Sequence, residues 1–188
     1  MPKTKISKEE ILNKCWYVLH RNGYYHTSLN TLAKEVGLGK AGLLHHFTSK
    51  EGLMKAVLNH AAETYESYVL SVVKEELPIE QRLEKMLRRE NRLAKIEGRG
   101  CFFGNTVVET SQQRVFNEQL QQFFEQWKKA LENLFQEVMS EEKAVELAYL
   151  ILVEYQGSVV LYKFSQDEDH LEQFVKRSLE RLERLRTK

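Results

Sequence analysis

Apolar positions recur with a helical period along nearly the whole chain. Ser7 followed by Glu10 fits a capping box, and Ile11, Leu12, Cys15, Trp16, Val18 and Leu19 follow at helical spacing. The stretch RNGYYHTS ends that helix, with Gly23 expected as its C-cap. Thr27 or Ser28 then caps a short second helix with Leu29, Leu32, Ala33 and Val36 on one face. Gly37 closes it, and a third short helix is expected from about Lys40 to Phe47. Ser49 caps a long fourth helix reaching about Glu75, with Glu51 in the first turn, where the helix dipole favours an acid.

Pro78 marks a further helix start. Gly98 and Gly100 interrupt the pattern, and CFFGNTVVETS reads as a short helix. From about Gln113 to Met139, Leu120, Phe123, Phe124, Trp127, Leu131, Leu134, Phe135 and Val138 form a stripe. Ser140 caps a helix in which Ala144 to Val153 is apolar nearly all round, so burial on several sides is expected. The last helix, about Asp167 to Arg186, carries Leu171, Phe174, Val175, Leu179, Leu182 and Leu185. The fold class is all-α with about nine helices and no convincing strand. Two prolines and nine glycines in 188 residues agree with that, because helix breakers are scarce.

Composition narrows the setting. The charged N-terminus is not followed by the apolar core of a signal peptide, and no apolar run approaches the ~20 residues of a membrane span. Cys15 and Cys101 are too few and too far apart for a disulfide framework or a zinc site, so a reducing cytoplasm is expected. The net charge of +1 conceals an asymmetry: the first 60 residues hold nine Lys or Arg against four acids, a net +5, and the rest carry −4. A basic end on an acidic body suggests a polyanionic partner for that end.

GLGKAG, from Gly37 to Gly42, matches the glycine pattern that cradles a dinucleotide pyrophosphate. That reading requires a strand before the glycines and an acid about 20 residues on, at the end of a second strand. Amphipathic helix precedes Gly37, and Glu63, near the right offset, lies inside a long helix, so no nucleotide cofactor is expected. Two short helices about a turn at Gly37 instead make a helix-turn-helix, whose second helix enters the DNA major groove. Gly39 and Gly42 would let that helix lie close to DNA. Lys40 offers a phosphate or guanine contact, and His45 and His46 can reach phosphates or base edges.

The stretch TSLNTLAKEVGLGKAGLLHHFTSKEGL, Thr27 to Leu53, resembles the N-terminal domain of the TetR/AcrR family of bacterial transcriptional regulators. The resemblance implies a DNA-binding domain at 1–52, with its motif at about 28–47, and a helical effector-binding and dimerisation domain at 53–188. It implies DNA contacts from Thr27 and Ser28 at the second helix start and from Gly39, Lys40, Ala41 and Gly42 at the recognition-helix start. Leu44, His45, His46 and Lys50 complete the set, with Thr27 as helix cap and Lys50 on a phosphate. Gly39 departs from the usual Ser or Thr cap, and Leu44 from the usual Tyr, which removes one phosphate hydrogen bond. The family implies a cytosolic, homodimeric repressor, paired through its last two helices on a pseudo-palindromic operator and released by a small-molecule effector. It implies no enzyme, cofactor, metal or membrane.

GRGCFFGN, Gly98 to Asn105, is the second distinctive stretch. A thiol at a helix start with Arg99 nearby favours the reactive thiolate. The same pattern fits a small packing residue beside two anchors, Phe102 and Phe103. A glycine–cysteine pair with Glu109 eight residues after Cys101 resembles a subgroup of the family that responds to electrophiles, which implies a role for Cys101 and for Lys163. An effector pocket between the fifth and eighth helices would be lined by Phe102, Phe103, Trp127, Tyr155 and Tyr162, although aromatics at helical spacing equally build a core.

Overall fold

The computed structural model describes residues 6–186. Among the described residues the architecture is all-helical: α1 (Lys8–Asn22), α2 (Leu29–Glu35), α3 (Lys40–Phe47), α4 (Lys50–Tyr68), α5 (Ile79–Ala94), α6 (Phe102–Thr110), α7 (Asn117–Gln136), α8 (Glu141–Ser165) and α9 (Asp169–Arg186). Two 3-10 turns, Leu70–Lys74 and Ile96–Gly98, flank α5.

The residues form two compact units. The first comprises the chain up to Glu63 together with Phe102–Leu120. The α1 capping box forms in both directions, with Ser7 Oγ accepting from the Glu10 N–H and Glu10 Oε2 from the Ser7 N–H, each at 3.1 Å. Ile11, Cys15, Leu32, Leu43, Leu53 and Val57 are buried and join α1 to α4 in one core. From α6, Phe102 packs on Trp16 and His20 of α1, with ring centroids 6.0 and 5.5 Å apart.

The second unit holds Thr64–Cys101 and the chain from Gln121 on. Its core includes Leu83, Met86 and Leu87 of α5, Trp127 and Leu131 of α7, Ile151 and Tyr155 of α8, and Phe174 and Leu182 of α9. The α8–α9 pair is cross-linked by Glu154, which accepts from Arg177 and Arg181. Asn91 Nδ2 of α5 donates to the Leu171 carbonyl of α9 at 3.1 Å.

Several expectations are corrected. Ser28, not Thr27, caps α2: its Oγ accepts from the Thr31 N–H at 3.0 Å. Thr27 is instead buried, and its hydroxyl donates to the Gly23 carbonyl at 2.6 Å. The fourth helix stops at Tyr68 and tightens into the first 3-10 turn, short of Glu75. The stripe helix begins at Asn117, four residues later than its apolar pattern indicates. The eighth helix is not buried on several sides of its own chain. Ala144, Leu147, Ala148, Ile151, Tyr155, Val159 and Tyr162 face the core, while Tyr149, Leu150, Val153, Val160, Leu161 and Phe164 are exposed. By length and composition alone, α8 is long and apolar enough to cross a bilayer. Core helices of water-soluble bundles meet the same criterion.

Candidate nucleic-acid interface and sensor residues

The turn between α2 and α3 is set by Gly37, whose φ of 72° lies in the left-handed region. The Leu38 N–H returns to the Ala33 carbonyl at 2.9 Å and tightens it. Leu43 and Phe47 bury one face of α3, leaving Gly39, Lys40, Ala41, His45 and His46 exposed and Gly42 and Leu44 half-buried. Gly39 is the N-cap and supplies no side-chain hydrogen bond. The first amides of α3 therefore stand open beside an exposed lysine, an arrangement suited to a phosphate. Nothing lies within 4 Å of where a Cβ on Gly39 would stand, so Gly39 is not demanded by packing in this chain. The His45 and His46 rings sit 5.8 Å apart. Ser28 is exposed beside Thr31, whereas the Thr27 side chain is 1% exposed and its hydroxyl donates to the Gly23 carbonyl.

The loop that presents these helices is held from α6. Glu109 accepts the backbone N–H of Tyr24 at 2.8 Å and of Tyr25 at 2.7 Å, one on each carboxylate oxygen. A Cβ on Gly23 would lie 2.9 Å from both oxygens, so only glycine admits the carboxylate this closely. The Tyr24 ring packs edge-on against Phe116 at 4.9 Å and carries the Lys50 ammonium over its face at 4.1 Å. Partial burial lowers the Lys50 pKa, opposed by Glu109. Lys50 is therefore oriented rather than freely extended. Sequence reasoning noted Glu109 only as part of a spacing, and its two amide partners lie 84 and 85 residues away.

Cys101 immediately precedes α6 and is half-buried in the second unit. Gln156 Nε2 donates to its sulfur at 3.8 Å. Gly100 has a φ of 75°, and a Cβ there would lie 2.9 Å from Val159 and 3.6 Å from Lys163 Cδ. The α8 backbone turn bearing Lys163 thus passes close beside the residue before the thiol, with Lys163 exposed. Among the five aromatics expected to line one pocket, Trp127, Tyr155 and Tyr162 are buried in the second unit, while Phe102 and Phe103 pack in the first. Trp127 meets Tyr155 perpendicularly at 5.0 Å and Tyr65 at 6.0 Å, and Tyr155 meets Phe174 at 5.5 Å. This cluster surrounds a residue that sequence reasoning passed over, the fully buried Glu90. Tyr65 Oη donates to Glu90 Oε1 at 2.7 Å, and burial holds the carboxyl well above the usual carboxylate range.

A helix-turn-helix with an exposed second helix, joined to a larger helical unit, defines a class of DNA-binding regulator. Comparison with known proteins agrees. Residues 11–57 match the family of bacterial regulatory proteins named for tetR, and residues 80–177 match the C-terminal domain of LmrA/YxaF-like transcriptional regulators. The chain belongs to the TetR family of transcriptional regulators. It is 29% identical over 173 residues, 88% of each chain, to an uncharacterised helix-turn-helix-type transcriptional regulator in the lacX 3' region of Lactococcus lactis subsp. lactis. Its fold resembles a TetR transcriptional regulator from Legionella pneumophila, with a TM-score of 0.85 at 23% identity over 94% of this chain and 97% of that one. It also resembles the reduced form of NemR from E. coli, with a TM-score of 0.80 at 17% identity over 89% of this chain and 92% of that one.

Proposed function

We propose that this regulator is a homodimeric repressor, with residues 1–52 as its DNA-binding domain and 53–188 as its effector-binding and dimerisation domain. The observation that carries the reading is the exposed, uncapped start of α3, with Lys40 and Ala41 at its tip and His45 and His46 along the same helix. In the DNA-bound state the α3 amides and Lys40 meet phosphates, and the histidines face the major groove. Ser28 and Lys50 add backbone contacts from α2 and α4. The exposed apolar stripe of α8 supports pairing of the last two helices with a second copy. Two copies present two recognition helices, which fix the half-site spacing of a pseudo-palindromic operator in the cytosol.

Release follows when an effector favours a conformer whose helices no longer match that spacing. The effector shifts the balance only by its differential affinity for the two conformers. Two triggers compete at one place: modification of Cys101, with Lys163 nearby, or a noncovalent lipophilic ligand among the buried aromatics with Cys101 purely structural.

Footprinting on DNA upstream of the chain's own gene, across a salt series, tests the reading. Log affinity is expected to fall steeply with log salt, and Lys40→Ala and Lys50→Ala should each lower that slope by about one. Absence of a specific footprint at moderate salt overturns it. For the trigger, Cys101→Ser should abolish release by maleimides. Release equal to the parent assigns the sensing to the noncovalent site.

A further inference from the structure

The helix α5 is rich in cations, and most of them are paired. Arg82 bonds Glu137, Lys85 bonds Glu75, Arg88 bonds Glu84 and Glu172, and Lys95, just past the helix, bonds Glu168. Arg89 and Arg92 have no acidic partner among the described residues. Both are tied instead to Tyr68, the last residue of α4. Arg89 Nη1 donates to the Tyr68 carbonyl at 2.6 Å, and its guanidinium lies over the Tyr68 ring at 5.0 Å. Arg92 Nη1 donates to Tyr68 Oη at 3.1 Å. Each hydrogen bond uses a single N–H, and the other N–H groups of both guanidiniums have no protein acceptor among the described residues.

Packing accounts for part of this. Arg89 satisfies a carbonyl at the C-terminal end of α4, where no intrahelical donor is available. It does not account for Arg92, a second unpaired guanidinium one turn further on, because like charges at that spacing repel. An anion between them removes the repulsion, and the planar fork of arginine suits a phosphoryl group bidentately. The two arginines lie at one end of an open groove of about 450 Å³, lined also by Gln81, Glu84, Lys85 and Arg88. Sites for small molecules span about 300–1,000 Å³. Every lining residue carries a polar head, so the groove suits a hydroxylated body rather than a lipophilic one. Glu84 lies about 12 Å along the helix axis from Arg92, which keeps its carboxylate away from the phosphoryl position and leaves it to accept hydroxyls.

We propose that the α5 groove binds the phosphate monoester of a hydroxyl-rich small molecule, a sugar phosphate. Arg89 and Arg92 hold the phosphoryl group, Tyr68 positions both guanidiniums, and Gln81 and Glu84 meet the hydroxyls. Binding is noncovalent. The site uses none of the buried aromatic residues of the second unit, and it does not rest on the repressor reading. Because the arginines are only half-buried or exposed, salt screens the interaction.

Isothermal titration of the full-length protein with glucose-6-phosphate and with ribose-5-phosphate tests the site, with glucose and inorganic phosphate as the separate halves. At least one sugar phosphate is expected to bind saturably in the sub-millimolar range, more tightly than either half and less tightly as salt is added. Arg92→Gln should weaken it at least tenfold. Arg92 is exposed and its one hydrogen bond goes to the Tyr68 hydroxyl, so an unchanged thermal melt is expected for this variant. Arg89→Lys, which keeps the charge and loses the fork, and Tyr68→Phe, which frees Arg92, should each weaken binding severalfold. Lys129→Gln removes the same charge from the exposed side of α7 and should leave affinity unchanged. Binding of neither sugar phosphate, equally tight inorganic phosphate, or an Arg92→Gln variant no weaker than Lys129→Gln overturns the proposal. Two other phosphate sources are tested in parallel. Arg92-dependent capture on vesicles of phosphatidic acid and phosphatidylcholine would assign the arginines to a membrane surface and overturn it. So would a loss of non-operator duplex affinity in Arg92→Gln as large as that in Lys40→Ala, which would assign them to DNA phosphates.

Discussion

The Cys15 thiol lies inside the α1–α4 core with no solvent exposure, and burial, followed by the Glu35 carboxylate, pushes its pKa up to about 12. At about pH 8 roughly one molecule in ten thousand would carry the Cys15 thiolate, the form that attacks electrophiles. Cys101 is half-exposed at the start of α6. N-ethylmaleimide should therefore add once to the native protein, and peptide mass spectrometry should place the adduct on Cys101. An adduct on Cys15 under native conditions would contradict the burial argument. Glu90 offers a second residue-level test. Burial raises its pKa, so the folded chain keeps a proton that the unfolded chain loses near the ordinary glutamate value of about 4.3. The associated stability is complete below that value and is lost as pH rises toward the folded-state pKa. Glu90→Gln holds no such proton. Between about pH 5 and about pH 8 its urea midpoint should fall less than the parent's, and at the higher pH it should be the more stable protein. Equal losses in parent and variant would mean that Glu90 is not the group holding the proton.

At the scale of elements, α6 orders the loop between α1 and α2 through Glu109. Hydrogen bonds to a charged acceptor contribute about 1.5–3 kcal/mol each, and this partly exposed pair stands at the low end. Glu109→Ala is expected to cost about 3 kcal/mol in urea unfolding and to quicken hydrogen exchange at the Tyr24 and Tyr25 amides. Gly23→Ala should also destabilise, because Gly23 holds a φ of 80° at which a side chain is strained and its methyl enters the space of the carboxylate. Combining the two should cost less than the sum of the single variants, because the clash with the carboxylate disappears while the backbone strain remains, whereas full additivity would show that they share no contact. Local features of this fold were legible in the sequence for a physical reason. The capping box of α1 and the bounds of α3 depend on residues three or four apart, and both stand where the pattern places them. The choice of Ser28 over Thr27 as cap was not legible, since either hydroxyl suffices locally and burial of Thr27 decides it. Glu109 was only half legible, because its partners are backbone amides far along the chain, which leave no trace in residue identity. Glu90 was legible in principle. It falls on the helical stripe of Leu83, Met86, Leu87, Asn91 and Ala94, but the surrounding RRENR run disguises it as part of a solvated face.

At the scale of the whole molecule, the two-sided apolarity of α8 has a direct consequence. Its core-facing side is satisfied within the chain, whereas Tyr149 is 58% exposed, Val160 63% and Phe164 89%. With Leu150, Val153 and Leu161 these residues form a continuous apolar face at helical spacing, interrupted only by Gly157, whose missing side chain faces open space. Lone exposed apolar residues are ordinary, but a contiguous helical face of them marks a surface that a partner covers. A second copy of the same face is the simplest cover, because a two-fold axis pairs each patch with itself. The sequence pattern registered the apolarity and assigned it to the interior of one chain, whereas the fold divides it between an interior and a face. Val160→Glu combined with Phe164→Glu places four carboxylates in the paired interface while disturbing no buried side chain of the single subunit. The parent should run at twice the chain mass in size-exclusion chromatography with light scattering, and the double variant at the chain mass with an unchanged circular dichroism spectrum. Operator affinity should fall by orders of magnitude, because one subunit engages one half-site and forfeits the linkage between two. A double variant that keeps the doubled mass would move the dimer axis away from α8, and a variant that becomes monomeric yet still holds the full operator would break the link between pairing and DNA recognition.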